Sequence, residues 1–167
     1  RIGTPDLSAV EFRFGSEMRQ FGYWWRYLEE RGTNNLVYRI GTSTATNWYN
    51  AQCVVALDDG TWFSPVWQVE FVLTNLPPAP VVLTLDLAGA ISSTLITTVN
   101  GTSLANVSPW NESSITRSAT RSGAARHYEL SFSPSLLQPG TNRINFTLSK
   151  SATWSGTKPV APNRGVL

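Results

Sequence analysis

Residues Trp62 to Gly101 read WFSPVWQVEFVLTNLPPAPVVLTLDLAGAISSTLITTVNG. Within them Trp67, Val69, Phe71 and Leu73 alternate with Gln68, Glu70 and Val72, and Val81, Leu83, Leu85 and Leu87 alternate with Val82, Thr84 and Asp86. Successive side chains of an extended chain point to opposite faces, so each segment predicts a strand with one apolar face. Between them stands Leu76-Pro77-Pro78-Ala79-Pro80. Each proline removes an N–H donor and fixes φ, which suits a connection and not a helix or a central strand. Two strands with one apolar face each need a second sheet to cover them, and the stretch predicts a sandwich.

The flanking sequence agrees. Gly3-Thr4-Pro5-Asp6 reads as a turn, and Phe12 and Phe14, alternating with Glu11 and Arg13, as a short strand. In Ser16 to Arg31, Phe21, Trp24, Trp25 and Leu28 recur at helical spacing, with Glu29 and Glu30 on the wet side and Gly32 as the stop. Leu36 to Ile40 predicts a strand, Gly41 to Asn47 a loop, and Trp48 to Leu57 a longer strand that turns at Asp58-Asp59-Gly60 into a return strand from Trp62. Leu95 to Val99 turns at Asn100-Gly101 toward Leu104, a type I′ hairpin pair. Asn106 to Ala125 reads as a long polar loop, Tyr128, Leu130 and Phe132 as a strand, Ser133 to Thr141 as turns, Arg143 to Leu148 as a strand, and Lys150 to Leu167 as a loop. About eight short strands with little helix make an all-β chain, a jelly-roll β-sandwich.

Composition narrows the function classes. A chain of 167 residues, 41% hydrophobic, is one domain with a sizeable core. Charged residues make up 14% against roughly 25% in ordinary domains. Ser, Thr, Asn, Gln and backbone therefore carry the surface, as in secreted β-proteins. A net charge of +2 is far from the dense basic stripe that nucleic acid demands, and no nucleic-acid partner is expected. No apolar run has membrane-spanning length, so no membrane partner is expected either. The single cysteine, Cys53, excludes an internal disulfide framework and, within Ala51 to Leu57, reads as a buried thiol. Neither a signal peptide nor an initiator Met precedes Arg1, which is expected of a mature product or an excised piece.

Four N-x-S/T sequons, at Asn100, Asn106, Asn111 and Asn145, favour a secreted, extracellular glycoprotein over accidental sequons in a Ser/Thr/Asn-rich chain. In Ile144 to Leu148 the apolar residues share one face, so Asn145 and Thr147 share the other and should meet solvent.

The inventory offers little for catalysis. His127 is the single histidine and, between Arg126 and Tyr128 at a strand start, reads as a surface hydrogen-bonding residue. There is no G-x-S-x-G elbow, H-E-x-x-H helix or C-x-x-C pair. The adjacent carboxylates Glu29/Glu30 and Asp58/Asp59 are sequence neighbours at solvent positions, not a facing pair across a glycosidic bond. Carbohydrate binding fits better: sugar C–H faces stack on aromatic rings and sugar hydroxyls seek planar polar partners. Of the seven tryptophans, Trp62 and Trp67 follow the core alternation, whereas Trp48, Trp110 and Trp154 lie in or beside polar loops. Each of these three is a sugar platform or a lid over the sandwich edge.

The order of these segments resembles a known family. Arg1-Ile2-Gly3-Thr4-Pro5-Asp6 with Glu11-Phe12, Leu36-Val37-Tyr38 leading to Asn47-Trp48 and Ala51-Gln52, Trp67-Gln68-Val69-Glu70-Phe71, Val99-Asn100-Gly101, Arg117 to Tyr128, and Leu137 through Pro139-Gly140-Thr141-Asn142 to Ile144 resemble the carboxy-terminal domain of the rhamnogalacturonan lyases of polysaccharide lyase family 4. The likeness spans nearly the whole chain. It implies a galactose-binding-like jelly roll, residues 1–167 forming one carbohydrate-binding-module-like domain of a larger lyase. Its implied partners are the pectic polysaccharide rhamnogalacturonan I and the catalytic domain of the parent lyase. In that family the β-eliminating lysine and histidine belong to the amino-terminal domain, so no catalytic residue carries over. The family domain also closes with one more strand after a segment like Gly165-Val166-Leu167, and on this reading the chain lacks it. Given the resemblance, Arg117, Arg121 and Arg126 become candidates for bidentate binding of galacturonate carboxylates, against ordinary loop solvation. Asp6 and Glu11 are candidates for a structural calcium, with turn hydrogen bonds the simpler role for Asp6.

Overall fold

The structure is a computed structural model that describes residues 1–6, 8–16, 23–57, 59, 61–91, 93–108, 125–149 and 165–166. One helix, α1 (Tyr23–Arg31), precedes strands β1 (Leu36–Arg39), β2 (Gln52–Cys53), β3 (Val55–Ala56), β4 (Trp62–Phe63), β5 (Trp67–Leu73), β6 (Val81–Leu87), β7 (Ala90–Ile91), β8 (Leu95–Val99), β9 (Thr102–Ser103), β10 (Arg126–Phe132), β11 (Gly140–Leu148) and β12 (Gly165–Val166). The fold is an all-β sandwich. Its largest sheet has the order β1-β5-β11-β8-β9; β10 pairs with β6, β12 lies between β2 and β7, and β3 pairs with β4.

The two strands that decide the fold sit in different sheets, and the proline-rich segment is the crossover between them. Trp67 and Val69 of β5 and Ile144, Phe146 and Leu148 of β11 share one buried apolar cluster with Leu87 of β6 and Leu130 and Phe132 of β10. Each such side chain contributes about 1.5–3 kcal/mol relative to an exposed one. Gln68, Glu70 and Val72 face outward from β5, and Val82, Thr84 and Asp86 are exposed on β6.

Two sequence readings change. Residues 48–57 do not make one strand: Tyr49, Ala51, Gln52, Cys53, Val54 and Val55 are all buried, so no face alternates and the chain runs through the interior in two short pairings. The end of the chain, read as a loop, pairs as β12, with Gly165 opposite Cys53 and Ile91 and Val166 opposite Gln52 and Ala90. The helix is anchored by Tyr27, 3% exposed, whose hydroxyl donates to the Asn34 carbonyl; Glu29 and Glu30 are exposed as expected. Gly32 ends α1 at φ 58° with its N–H on the Leu28 carbonyl at 2.8 Å.

Polar side chains complete the ladder where β5 stops. Beyond the Phe146–Trp67 pairing, buried Gln52 donates from Nε2 to the carbonyls of Phe146 and Pro65, both at 3.0 Å. Ser64 Oγ donates to the Leu148 carbonyl at 2.9 Å and accepts its N–H at 3.0 Å.

Candidate binding face

The outward face of the five-stranded sheet collects polar side chains in rows because parity sends alternate residues outward and register aligns them. Arg39 of β1 and Arg143 of β11 both stand opposite Glu70 of β5. Arg39 Nε lies 3.0 Å from Glu70 Oε2, and Arg143 Nε donates to Glu70 Oε1 at 3.1 Å. Gln68 Nε2 donates to the same Oε1 at 2.8 Å. Two guanidinium groups on one carboxylate leave this row with a formal charge of +1. The next row runs through Gln68, Asn145, Thr98 and Ser103.

At one end of this face a cleft of about 390 Å³ is lined by Asn100, Gly101, Gln138, Thr141, Arg143 and Asn145. Its wall is built by the β8–β9 hairpin, where Asn100 (φ 47°) and Gly101 (φ 88°) adopt the left-handed conformations of a type I′ turn. Asn100 Nδ2 donates to the Leu136 carbonyl at 2.9 Å and to Asn142 Oδ1 at 2.8 Å, while its Oδ1 accepts the Arg143 N–H at 2.8 Å. Asn142, fully buried, donates to the Gln138 and Gly140 carbonyls at 2.8 and 3.1 Å and accepts the Gln138 N–H at 2.9 Å. Ser133 caps the short 3-10 turn Pro134–Leu136 that presents the Leu136 carbonyl. The two asparagines thus lock hairpin, turn and strand into one rigid wall, leaving Arg143 and Thr141 exposed beside it.

The structure distributes the residues singled out from sequence. Trp48 is half-buried and meets Tyr38, Trp67 and Phe146 edge-on at centroid distances of 6.0, 4.9 and 6.3 Å. Arg126 is exposed at the start of β10. Trp110, Arg117, Arg121, Trp154 and the sequon at Asn111 lie outside the described residues. Asn106 is exposed. Asn145 and Thr147 do share the outward face but are only half-exposed, and Asn145 Oδ1 is enclosed without a hydrogen-bond partner. Both amide hydrogens of Asn100 are used in the wall, so a glycan there would displace one of those bonds. Asp6 Oδ1 accepts the Ser8 N–H at 2.8 Å, and Glu11 accepts the Thr4 N–H. Among the described residues no group of three or more His, Cys, Asp or Glu side chains is placed to hold a metal ion.

His127 is on an open strand surface, with Nδ1 2.7 Å from Asp86 Oδ1 and Nε2 3.4 Å from Glu129 Oε1. The hydrogen bond to Asp86, then that to Glu129, raises its pKa above 6.5. Arg39, Glu70, Arg143, Gln138 and Thr141 were not singled out by sequence. The alternation in β5 and β11 marks their outward direction, but which strands adjoin is a property of long-range pairing.

The all-β sandwich is of the CBM-like type. The chain belongs to polysaccharide lyase family 4, as its CBM-like domain III, whose family model matches residues 1–167. It is similar to a rhamnogalacturonate lyase from Dickeya dadantii (strain 3937), with 31% identity over 157 residues, covering 88% of this chain and 25% of that protein. The chain therefore spans about a quarter of the length of this curated relative. Among the described residues no helix is long and apolar enough to cross a membrane.

Proposed function

We infer that this domain is a noncatalytic carbohydrate-binding part of a rhamnogalacturonan lyase, holding or positioning the rhamnogalacturonan I backbone of pectin for a catalytic domain elsewhere in the parent protein. The observation that carries this reading is the match of a CBM-like lyase domain over residues 1–167, joined to a relative whose name specifies rhamnogalacturonate cleavage. The parent acts outside the cell on the plant wall, and among the sequons within the described residues exposed Asn106 is the best placed for a glycan. The test is isothermal titration of the chain with rhamnogalacturonan I oligosaccharides and with homogalacturonan. Tighter binding of the former is expected; heat with neither polymer discards the binding role.

A second reading, a structural domain that packs on the catalytic domain without sugar affinity, draws on exposed Val10, Ile40, Val72, Leu76 and Val82. It predicts that excision of the domain costs the parent solubility and thermal stability while the titrations stay silent.

A further inference from the structure

We propose that the cleft beside Arg143 is a uronate subsite, in which the Arg143 guanidinium takes the carboxylate of a hexuronic acid residue and Gln138, Thr141 and the amide nitrogen of Asn145 meet its hydroxyls. This deepens the binding reading above and rests on it, but it assigns that role to Arg143 on the sheet face and not to Arg117, Arg121 or Arg126.

Several observations converge. The Arg39–Glu70–Arg143 row carries two guanidinium groups against one carboxylate, so an anion is attracted there. Glu70 is only 16% exposed at its side chain whereas Arg143 is 58% exposed; the acid is thus sequestered beneath the base, and an incoming ligand meets the positive partner first. Glu70 engages Arg143 through Nε, and among the described residues no hydrogen bond uses the terminal nitrogens, which leaves the edge of the guanidinium that forms paired bonds to carboxylates. The side chains around it are amides and a hydroxyl, the partners that sugar hydroxyls require. The cleft, about 390 Å³, falls in the range of roughly 300–1,000 Å³ typical of small-ligand sites. The space where a side chain at Gly101 would stand is open to 4 Å, and the Asn100–Asn142 bond holds the wall without consuming any of the groups offered to the ligand.

The test compares an oligosaccharide of alternating galacturonate and rhamnose with the same oligosaccharide after its carboxyl groups are reduced to alcohols, by isothermal titration with wild type, Arg143→Met, Thr141→Trp and, as a control on the other sheet, Ser131→Ala. Arg143→Met keeps the aliphatic stem and leaves Arg39 on Glu70; Thr141→Trp fills the cleft from an exposed strand position and removes none of the three charges of the ion row. Wild type is expected to prefer the acidic ligand, and Arg143→Met to lose about tenfold in affinity for it while the preference for acid over alcohol disappears. Thr141→Trp should abolish binding of both, and Ser131→Ala should bind as wild type. Chemical-shift changes in the Gln138 and Asn145 side-chain amides on titration provide a readout that needs no variant. Wild-type binding unaltered by Arg143→Met and Thr141→Trp, with those amides unshifted, would overturn the subsite and leave the carbohydrate-binding reading standing. No binding of either ligand by wild type would overturn both.

Discussion

Asn100 Nδ2 and Asn142 Oδ1 meet at 2.8 Å, joining the tip of the β8–β9 hairpin to the first turn of β11. Asn142 satisfies all four of its side-chain hydrogen-bond sites in a fully buried position. Truncating it removes the partners of the Gln138 N–H and carbonyl and the Gly140 carbonyl, part-buried groups that water reaches in part, so each loss falls at the low end, about 1 kcal/mol. Asn142→Ala should therefore lower stability by about 3 kcal/mol in urea unfolding. Asn100→Gly keeps the left-handed turn but loses the amide and should cost about half as much. Because the two side chains share a bond, the double variant should lose less than the sum, and an additive cycle would refute their coupling.

Gln52→Ala removes the donor that serves the Phe146 and Pro65 carbonyls in the interior. A loss of about 2–4 kcal/mol is expected from two stranded acceptors. Ser64→Ala tests the neighbouring clamp, since Leu148 then loses partners for both its N–H and its carbonyl. Neither substitution should alter sugar affinity, which separates these interior clamps from the outward face.

His127 supplies a pH signature. Its folded pKa lies above 6.5 because charged imidazole is held by Asp86 and Glu129. With the folded value raised, the stabilisation is complete below pH 6.5 and is lost as pH rises through the folded pKa. The wild-type advantage over His127→Gln should accordingly fade as pH rises from 6.5 through the folded pKa. As the chain has a single histidine, its imidazole resonances can be followed directly by NMR, and a midpoint below 6.5 would contradict the assignment.

Glu30 behaves in the opposite sense. The hydrogen bond from Arg13 leads in holding its carboxyl below 4.5, with a further bond from Tyr49, so its contribution is present above pH 4.5 and lost as pH falls through the folded value. Burial, then the Glu30 contact, pushes the Tyr49 phenol up to about 12, and burial does the same to Tyr27. Tyr27 and Tyr49 should ionise late in a spectrophotometric titration, and Glu30→Gln should bring Tyr49 earlier.

Cys53 is buried, and burial pushes its thiol up to about 12. Thiol reagents should label the folded chain at the slow rate set by opening of the β2 region and label it at once in denaturant. Rapid labelling of the native chain would show that the interior run 49–55 is less closed than its burial indicates.

By itself, the sequence determined strand direction and face. Trp67-Gln68-Val69-Glu70 and Val81 to Leu87 announce their inward and outward residues because side-chain parity is local, and Asn100-Gly101 announces its hairpin because few residues accept left-handed φ. The interior path of residues 49–55 stayed illegible, since a segment buried on every side has no alternation to read, and β12 did too, since two residues carry no period. What the tertiary structure alone decided is adjacency. Arg39, Glu70 and Arg143 are distant in the chain and share one row only because β5 accepts β1 on one edge and β11 on the other, and pairing of that kind is chosen by the packing of the whole core, not by any residue's neighbours.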